Sequence, residues 1–259
     1  IKNKETKIDS IKYVNFLWDL SCNLRCPSCR VSTILNTKGE AYENSLQIQN
    51  KILDYALPLD SDLIFNITGS GDPFSSKVFR DFLTSFDGSK HPNVVINLQT
   101  NGVMFTENMW EKMSLCHDNI STVLISIDAA TEETYNKVRV GGKWDILMKN
   151  IEMVDELRRC GEIDRLRLDF VVQRQNYTEM PQAVEFAQSL LGVDGIYFAI
   201  LTDWGTWSRD EYKWHAVWMK ENLMHEDFIR VLNNDIFESK KVDLGNVRHY
   251  YELSRGKND

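Results

Sequence analysis

Three of the five cysteines fall close together, as Cys22, Cys26 and Cys29 in a C-x-x-x-C-x-x-C spacing. Three thiols cannot all pair as disulfides, and thiolates are the usual ligands of iron–sulfur clusters. A cubane cluster held by three cysteines keeps one iron open to another ligand. Two other chemistries use subsets of these residues. Cys26-Pro27-Ser28-Cys29 matches a thioredoxin-type redox pair, but that motif opens a helix in a small α/β domain and gives Cys22 no task. A structural zinc site needs a fourth ligand, usually from a second close pair of Cys or His. Cys116 and Cys160 are solitary, and His91, His117, His215, His225 and His249 show no paired spacing. The two solitary cysteines read as helix-packed thiols.

The cysteine loop needs an element to deliver it, and Ile11 to Leu20 reads as an apolar strand that ends there. Further strands are expected at Asp62 to Thr68, Val94 to Leu98, Ser121 to Asp128, Leu166 to Gln173 and Ile196 to Leu201. Between them the apolar residues recur at helical spacing: Ile48, Ile52, Tyr55 and Ala56, then Val78, Phe79, Phe82, Leu83 and Phe86. The pattern returns at Met109, Trp110, Met113 and Cys116, at Leu147, Ile151, Val154 and Leu157, and after Pro181. Strands alternating with helices make βαβ units and a parallel sheet. Near-continuous apolar strands suggest a sheet covered on both faces. The polar residues Gly69 to Asp72, Thr100 and Asn101, Ser126 and Asp128, Gln173 and Asn176, and Thr202 and Asp203 all follow or end a strand. In a barrel they meet at the C-terminal rim, where barrel active sites are built. An open doubly wound sheet is the alternative architecture.

The length of 259 residues suits one large α/β domain, and 42% hydrophobic and 26% charged residues are ordinary for a globular chain. No run approaches the roughly 18 apolar residues of a membrane span, and the Lys- and Glu-rich start does not read as a signal peptide. Cytoplasmic localisation and free thiols follow from that reading. A net charge of −8 argues against nucleic-acid partners, which need a basic face.

The cysteine spacing, the Leu24-Arg25 filling and the position after an apolar strand resemble the radical S-adenosylmethionine (SAM) enzymes. That resemblance implies a partial (β/α)6 TIM-like barrel over 11–203, preceded by a lead-in at 1–10 and followed by a short Trp-rich C-terminal extension at 204–259. It implies a [4Fe-4S] cluster on Cys22, Cys26 and Cys29, with SAM on the open iron. Ser28 departs from the aromatic residue usual at that place. Gly69-Ser70-Gly71-Asp72-Pro73 stands where the family has G-G-E-P, the segment that binds the SAM amino group, with Asp in place of Glu. Ser126 and Asp128, in S-I-D-A-A, are similar to the family's S-I-D-G and imply contacts to the SAM ribose or carboxylate. Arg139 matches an arginine that reaches that carboxylate. Thr100-Asn101-Gly102 looks like the T-N-G turn of the rim, and Gln173 and Asn176 are weaker candidates for the ribose or adenine.

The activity implied is reductive cleavage of SAM to a 5′-deoxyadenosyl radical that abstracts hydrogen from a peptide, amino-acid or carbohydrate substrate. The electron comes from a donor such as flavodoxin or ferredoxin. Rival readings are a non-catalytic iron–sulfur electron-transfer or partner-binding domain, and a C-x-x-C thiol–disulfide oxidoreductase. Trp204, Trp207, Trp214 and Trp218 read either as a packing shelf or as an aromatic wall over the substrate. His225 to Asn246 resembles the lead-in to a SPASM or twitch extension, without the cysteines such extensions bring.

Overall fold

The computed structural model describes residues 10–59, 61–67 and 70–256. Its strands are β1 (Tyr13–Phe16), β2 (Leu63–Ile67), β3 (Val94–Thr100), β4 (Ile120–Ser126), β5 (Arg165–Val172), β6 (Gly195–Ile200) and β7 (Val242–Asp243). They form one sheet in chain order, and every neighbouring pair is parallel. A doubly wound sheet reverses its order near the middle. This one never does, so crossovers of uniform hand put the helices on a single side. The helices are α1 (Glu40–Ala56), α2 (Lys77–Ser85), α3 (Glu107–Lys112), α4 (Glu132–Val138), α5 (Trp144–Cys160) and α6 (Met180–Ser189). Beyond β6 lie α7 (Arg209–His215), α8 (His225–Leu232) and α9 (Arg248–Ser254).

The sheet is strongly curved. Residues just after β1 share one cavity with the ends of β4, β5 and β6, strands far from β1 in sheet order. This is the expected partial barrel with one more strand. β7 pairs only Val242 with Ile196 and Asp243 with Tyr197, too short to leave a periodic signal in the sequence. Of the lead-in expected over 1–10, only Ser10 is among the described residues.

Alternation within each strand sends one set of side chains into the core. Phe16, Phe65 and Ile67 are fully buried; Phe16 packs against Phe79 and Phe82 of α2, and Phe65 against Phe82. Burial of each such side chain stabilises the fold by about 1.5–3 kcal/mol. The opposite face departs from expectation. It is not a second packed layer but a half-exposed mixed wall, in which Asn66, Asn97, Gln99, Thr122, Ser126 and Arg167 share the face with Ile64, Val95, Leu124 and Val171. The strands read as continuously apolar because their buried positions dominate the composition, and the polar alternates are few.

Candidate functional site

β1 ends sooner than its apolar sequence suggests, because Asp19 folds inward. Its carboxylate accepts from the Ser21 amide at 3.1 Å, the Ser21 hydroxyl at 2.9 Å, Asn36 Nδ2 at 3.0 Å and the Ser76 hydroxyl at 2.5 Å. Ser76 is also the N-cap of α2 and accepts from the Phe79 amide. One buried acid therefore ties the start of the cysteine loop to the helix behind it. The loop is closed by the Cys22 amide on the Ile34 carbonyl at 2.8 Å and held across the rim by the Arg25 amide on the Val140 carbonyl at 2.9 Å.

The segment after β2 crosses directly over this loop. A Cβ on Gly71 would stand 2.6 Å from the Ser21 carbonyl oxygen and 2.7 Å from that of Asp19, so only glycine passes here. Asp72 follows. Its amide donates to Ser21, and its carboxylate accepts from the Phe74 and Ser75 amides, the Ser75 and Thr100 hydroxyls and the Asn101 amide. These protein donors use the lone pairs of the carboxylate, and the residue is 1% exposed. Asp72 thus braces the rim by joining the ends of β2 and β3. Gly69 lies outside the described residues, while Ser70 donates its hydroxyl to the Leu17 carbonyl.

Cys22, Cys26 and Cys29 wall one cavity of about 120 Å³, together with Arg30, Gly71, Asp72, Gln99, Thr100, Asn101, Ser126 and Arg139. All five cysteines are free thiols. Each rim sulfur faces an N–H donor: the Leu24 amide at 3.5 Å and Asn101 Nδ2 at 3.7 Å for Cys22, Arg139 at 3.8 Å for Cys26, and Arg30 at 3.5 Å for Cys29. Such contacts favour thiolate and tune the potential of a sulfur-bound cluster. In the metal-free protein, burial pushes the Cys22 thiol up to about 11 and raises Cys26 as well, with Arg139 opposing the shift at Cys26. Three free thiols around one cavity, each met by N–H, are the kind of donor set a sulfur-bound cluster takes.

β4 supplies the opposite wall. Ser126 lines the thiol cavity, and Asp128 lines an adjoining one of about 220 Å³ with Cys26, Cys29, Arg139, Val171, Ala199, Ile200 and Trp204. Asp128 is the one non-glycine residue with positive φ (52°) among the described residues. Asp tolerates that region better than most residues, at a cost on the order of 1 kcal/mol. Its carboxylate accepts from the Val171 amide at 2.7 Å and pairs with Arg139 at 2.8 Å. Burial lifts the Asp128 carboxyl above the ordinary range, and Arg139 and the Val171 amide pull it back. Burial opposes the Arg139 charge, yet Asp128 and Cys26 hold that guanidinium protonated. Arg139 Nε is buried with no hydrogen-bond partner, which leaves a cationic donor beside both cavities.

Other expected residues serve the frame. Asn176 is fully buried; its side chain accepts from the Gln173 amide and donates to the Asp128 and Val171 carbonyls. Gln173 is buried and does not wall these cavities. Cys116 is buried and bonded to the Leu83 carbonyl, as a packed thiol should be. Cys160 corrects that reading: it is exposed at the end of α5, against Glu156.

Three residues escaped sequence reasoning. Arg30, straight after the third cysteine, donates to the Leu20 and Ser70 carbonyls as well as to Cys29. Glu179 caps the turn after Asp128, accepting from the Ala130 and Thr131 amides and the Thr131 and Thr134 hydroxyls. Asp19 carried a signal only as the one acid inside an apolar run.

The tryptophans divide. Trp218 is buried, Trp207 stacks on His215 at 3.8 Å, and Trp214 lies under Arg174 at 4.1 Å, all shelf roles. Trp204 is 71% exposed and borders the cavity of Asp128 and Arg139.

Comparison with known proteins bears on the family and the fold. The family model described as Radical SAM superfamily matches residues 20–186. Mycofactocin maturase MftC of Mycolicibacterium smegmatis is 29% identical over 173 residues, 66% of this chain and 40% of the relative. PqqA peptide cyclase of Granulibacter bethesdensis is 26% identical over 170 residues, 65% of this chain and 42% of the relative. The chain therefore spans about two fifths of the length of the curated relatives it matches. Among solved structures, Streptococcus suis SuiB bound to S-adenosylmethionine superposes with a TM-score of 0.57 at 14% identity, covering 94% of this chain and 53% of SuiB. The structure of anSMEcpe with bound AdoMet gives 0.52 at 16% identity, covering 96% and 62%. At those identities the likeness concerns the fold. No helix among the described residues is long and apolar enough to cross a membrane. The chain belongs to the radical SAM superfamily, an enzyme family whose cofactors are a [4Fe-4S] cluster and S-adenosylmethionine.

Proposed function

We propose that the chain is the catalytic barrel of a radical SAM enzyme acting on a peptide, with Cys22, Cys26 and Cys29 as the cluster ligands. The observation that carries this reading is the trio of free thiols around one cavity, each met by an N–H donor. A cluster held by these thiolates would supply the electron for reductive cleavage of SAM to methionine and the 5′-deoxyadenosyl radical that would take hydrogen from a substrate carbon. The residues of the chain position and protect. Arg139, with its unpartnered Nε, meets the SAM carboxylate while Asp128 fixes the guanidinium plane. Ser126 offers a hydroxyl to the same ligand. Ser70, Gly71, Asp72, Thr100 and Asn101 form the wall behind it, and the Asp72 carboxylate acts through the backbone it braces. Gln173 holds the rim from behind.

The peptide class is supported by what the relatives are named for: mycofactocin maturation and PqqA cyclisation. In this reading 11–203 carries the first six strands of the barrel and 204–259 is a Trp-rich extension that adds β7 at the sheet edge, the near part of a SPASM or twitch region. A flavodoxin- or ferredoxin-like donor supplies the electron, and a reducing cytoplasm keeps the thiols free. The test is anaerobic reconstitution, reduction and addition of SAM, followed by chromatography for 5′-deoxyadenosine. Turnover to that product is expected. A loaded, reduced protein that binds no SAM and forms none would leave the electron-carrier reading in its place.

A further inference from the structure

The cavity of about 600 Å³ lined by Leu17, Leu20, Ile34, Ser70, Gln99 and Trp204 shares Cys29, Arg30 and Gln99 with the thiol cavity, and it has two features so far without a role. The first feature is apolar. Leu17 and Leu20 are each 49% exposed and Trp204 71%, so three large apolar side chains face open space around one hollow. Exposed apolar side chains gathered in one place mark a binding surface, whereas single ones are ordinary. Trp204 precedes Gly205, at φ 74°, whose amide is held by Asp203, so the indole stands on a formed turn.

The second feature is polar and lies on the adjoining floor. Asn15, Asn66 and Asn97 occupy one register row across β1, β2 and β3. Asn97 Nδ2 donates to Asn66 Oδ1 and Asn66 Nδ2 to Asn15 Oδ1, each at 2.9 Å. Gln99, which walls the cavity, is two residues further along β3 than Asn97, about 7 Å above that row on the same face, and Leu17 directly follows the end of β1. A chain of side-chain amides is thus laid beneath an apolar mouth, on a barrel face that branched apolar residues usually fill. A side-chain amide offers a donor and an acceptor side by side, the complement of a main-chain amide, and the mouth takes an apolar group. A peptide residue with an apolar side chain carries both.

We propose that this hollow seats one apolar residue of a peptide substrate. Its side chain lies between Trp204 and the Leu17–Leu20–Ile34 wall, and its main-chain amides pair with the Asn15–Asn66–Asn97 ladder. The proposal rests on the peptide-acting reading and supplies the specificity-determining residues that reading lacks.

The test uses the whole chain without metal, ¹⁵N-labelled, titrated with N-acetyl-L-leucine-N-methylamide. The readout is the Trp204 indole N–H signal, identified by its loss in Trp204→Ala. A saturable shift of that signal is expected, with the other indole signals still. Trp204→Ala, followed on neighbouring amides, weakens binding about five- to tenfold, while Trp214→Ala leaves it unchanged. Asn97→Leu weakens the amide probe about three- to tenfold but not 3-methyl-1-butanol, which offers the same apolar group without amides; a purely structural ladder would alter neither selectively. Three outcomes overturn the proposal: no shift with the leucine probe, an equal shift with methyl glucoside, or a shift with protein concentration alone, which would make the occupant a second copy. Each leaves 5′-deoxyadenosine formation by the loaded enzyme intact, so the two readings fail separately.

Discussion

The two sides of the rim are built to different standards. On the β1–β4 side nearly every polar group has a buried partner: Asp19 and Asp72 alone gather nine hydrogen bonds from loop amides, hydroxyls and Asn36. On the far side, after β6, Trp204 is mostly exposed, and His215 stacks on Trp207 and meets Trp214 edge to face. A group that must sit within a fraction of an ångström needs an over-determined frame. A surface that admits and releases a substrate is drawn from the less stable end of the structure. The difference therefore separates a fixed frame, which carries the cofactor residues and the floor of the proposed substrate seat, from an adaptable shelf that adds Trp204 to it.

The largest effect should come from breaking the frame. Asp72→Ala leaves buried hydroxyls and amides without an acceptor, and a loss of about 3–5 kcal/mol is expected. That lowers Tm by on the order of 10 °C, readable by calorimetry. A loss under about 1 kcal/mol would mean the two sides do not differ in the way described. Next is Arg139→Gln, which removes the cation beside both cavities and strands the Asp128 carboxylate. SAM affinity of the loaded protein, measured by calorimetric titration, should fall about tenfold or more with iron content unchanged. Equal affinity would take Arg139 out of the site.

The smallest effect belongs to the far side. Burial, with help from Arg174, holds the His215 imidazole down to about 4, so the folded shelf contains neutral histidine. Its contribution is complete above the ordinary imidazole range near pH 6.5 and is lost as pH falls toward 4, because the unfolded form then binds the proton more readily. Hydrogen exchange of residues 203–215 should quicken over that interval while the β1–β4 rim stays protected. A shelf that tightens on acidification would contradict the assignment.

How much of this could be read in advance depended on whether a residue's role was local. The cysteine trio, the strand–helix alternation and the polar strand ends were legible because spacing alone carries them. Asp72 was visible as a rim residue, but its carboxylate proved to brace Thr100 and Asn101, partners 28 and 29 positions away that no local pattern reveals. The asparagine ladder was equally hidden, since its members lie 51 and 31 positions apart and meet only through strand register. The polar part of the inner face was masked by its apolar neighbours in each strand. β7 was missed because two residues have no period.

The central claim is that three sulfurs around one small cavity hold an iron–sulfur cube, and iron and sulfide analysis with electron paramagnetic resonance after anaerobic loading tests it most directly. About four irons per chain and a reduced-cluster signal are expected, with both lost in Cys22→Ser, Cys26→Ser and Cys29→Ser but kept in Cys116→Ser and Cys160→Ser. Full iron retention in any of the first three, or loss in either of the last two, would contradict the account.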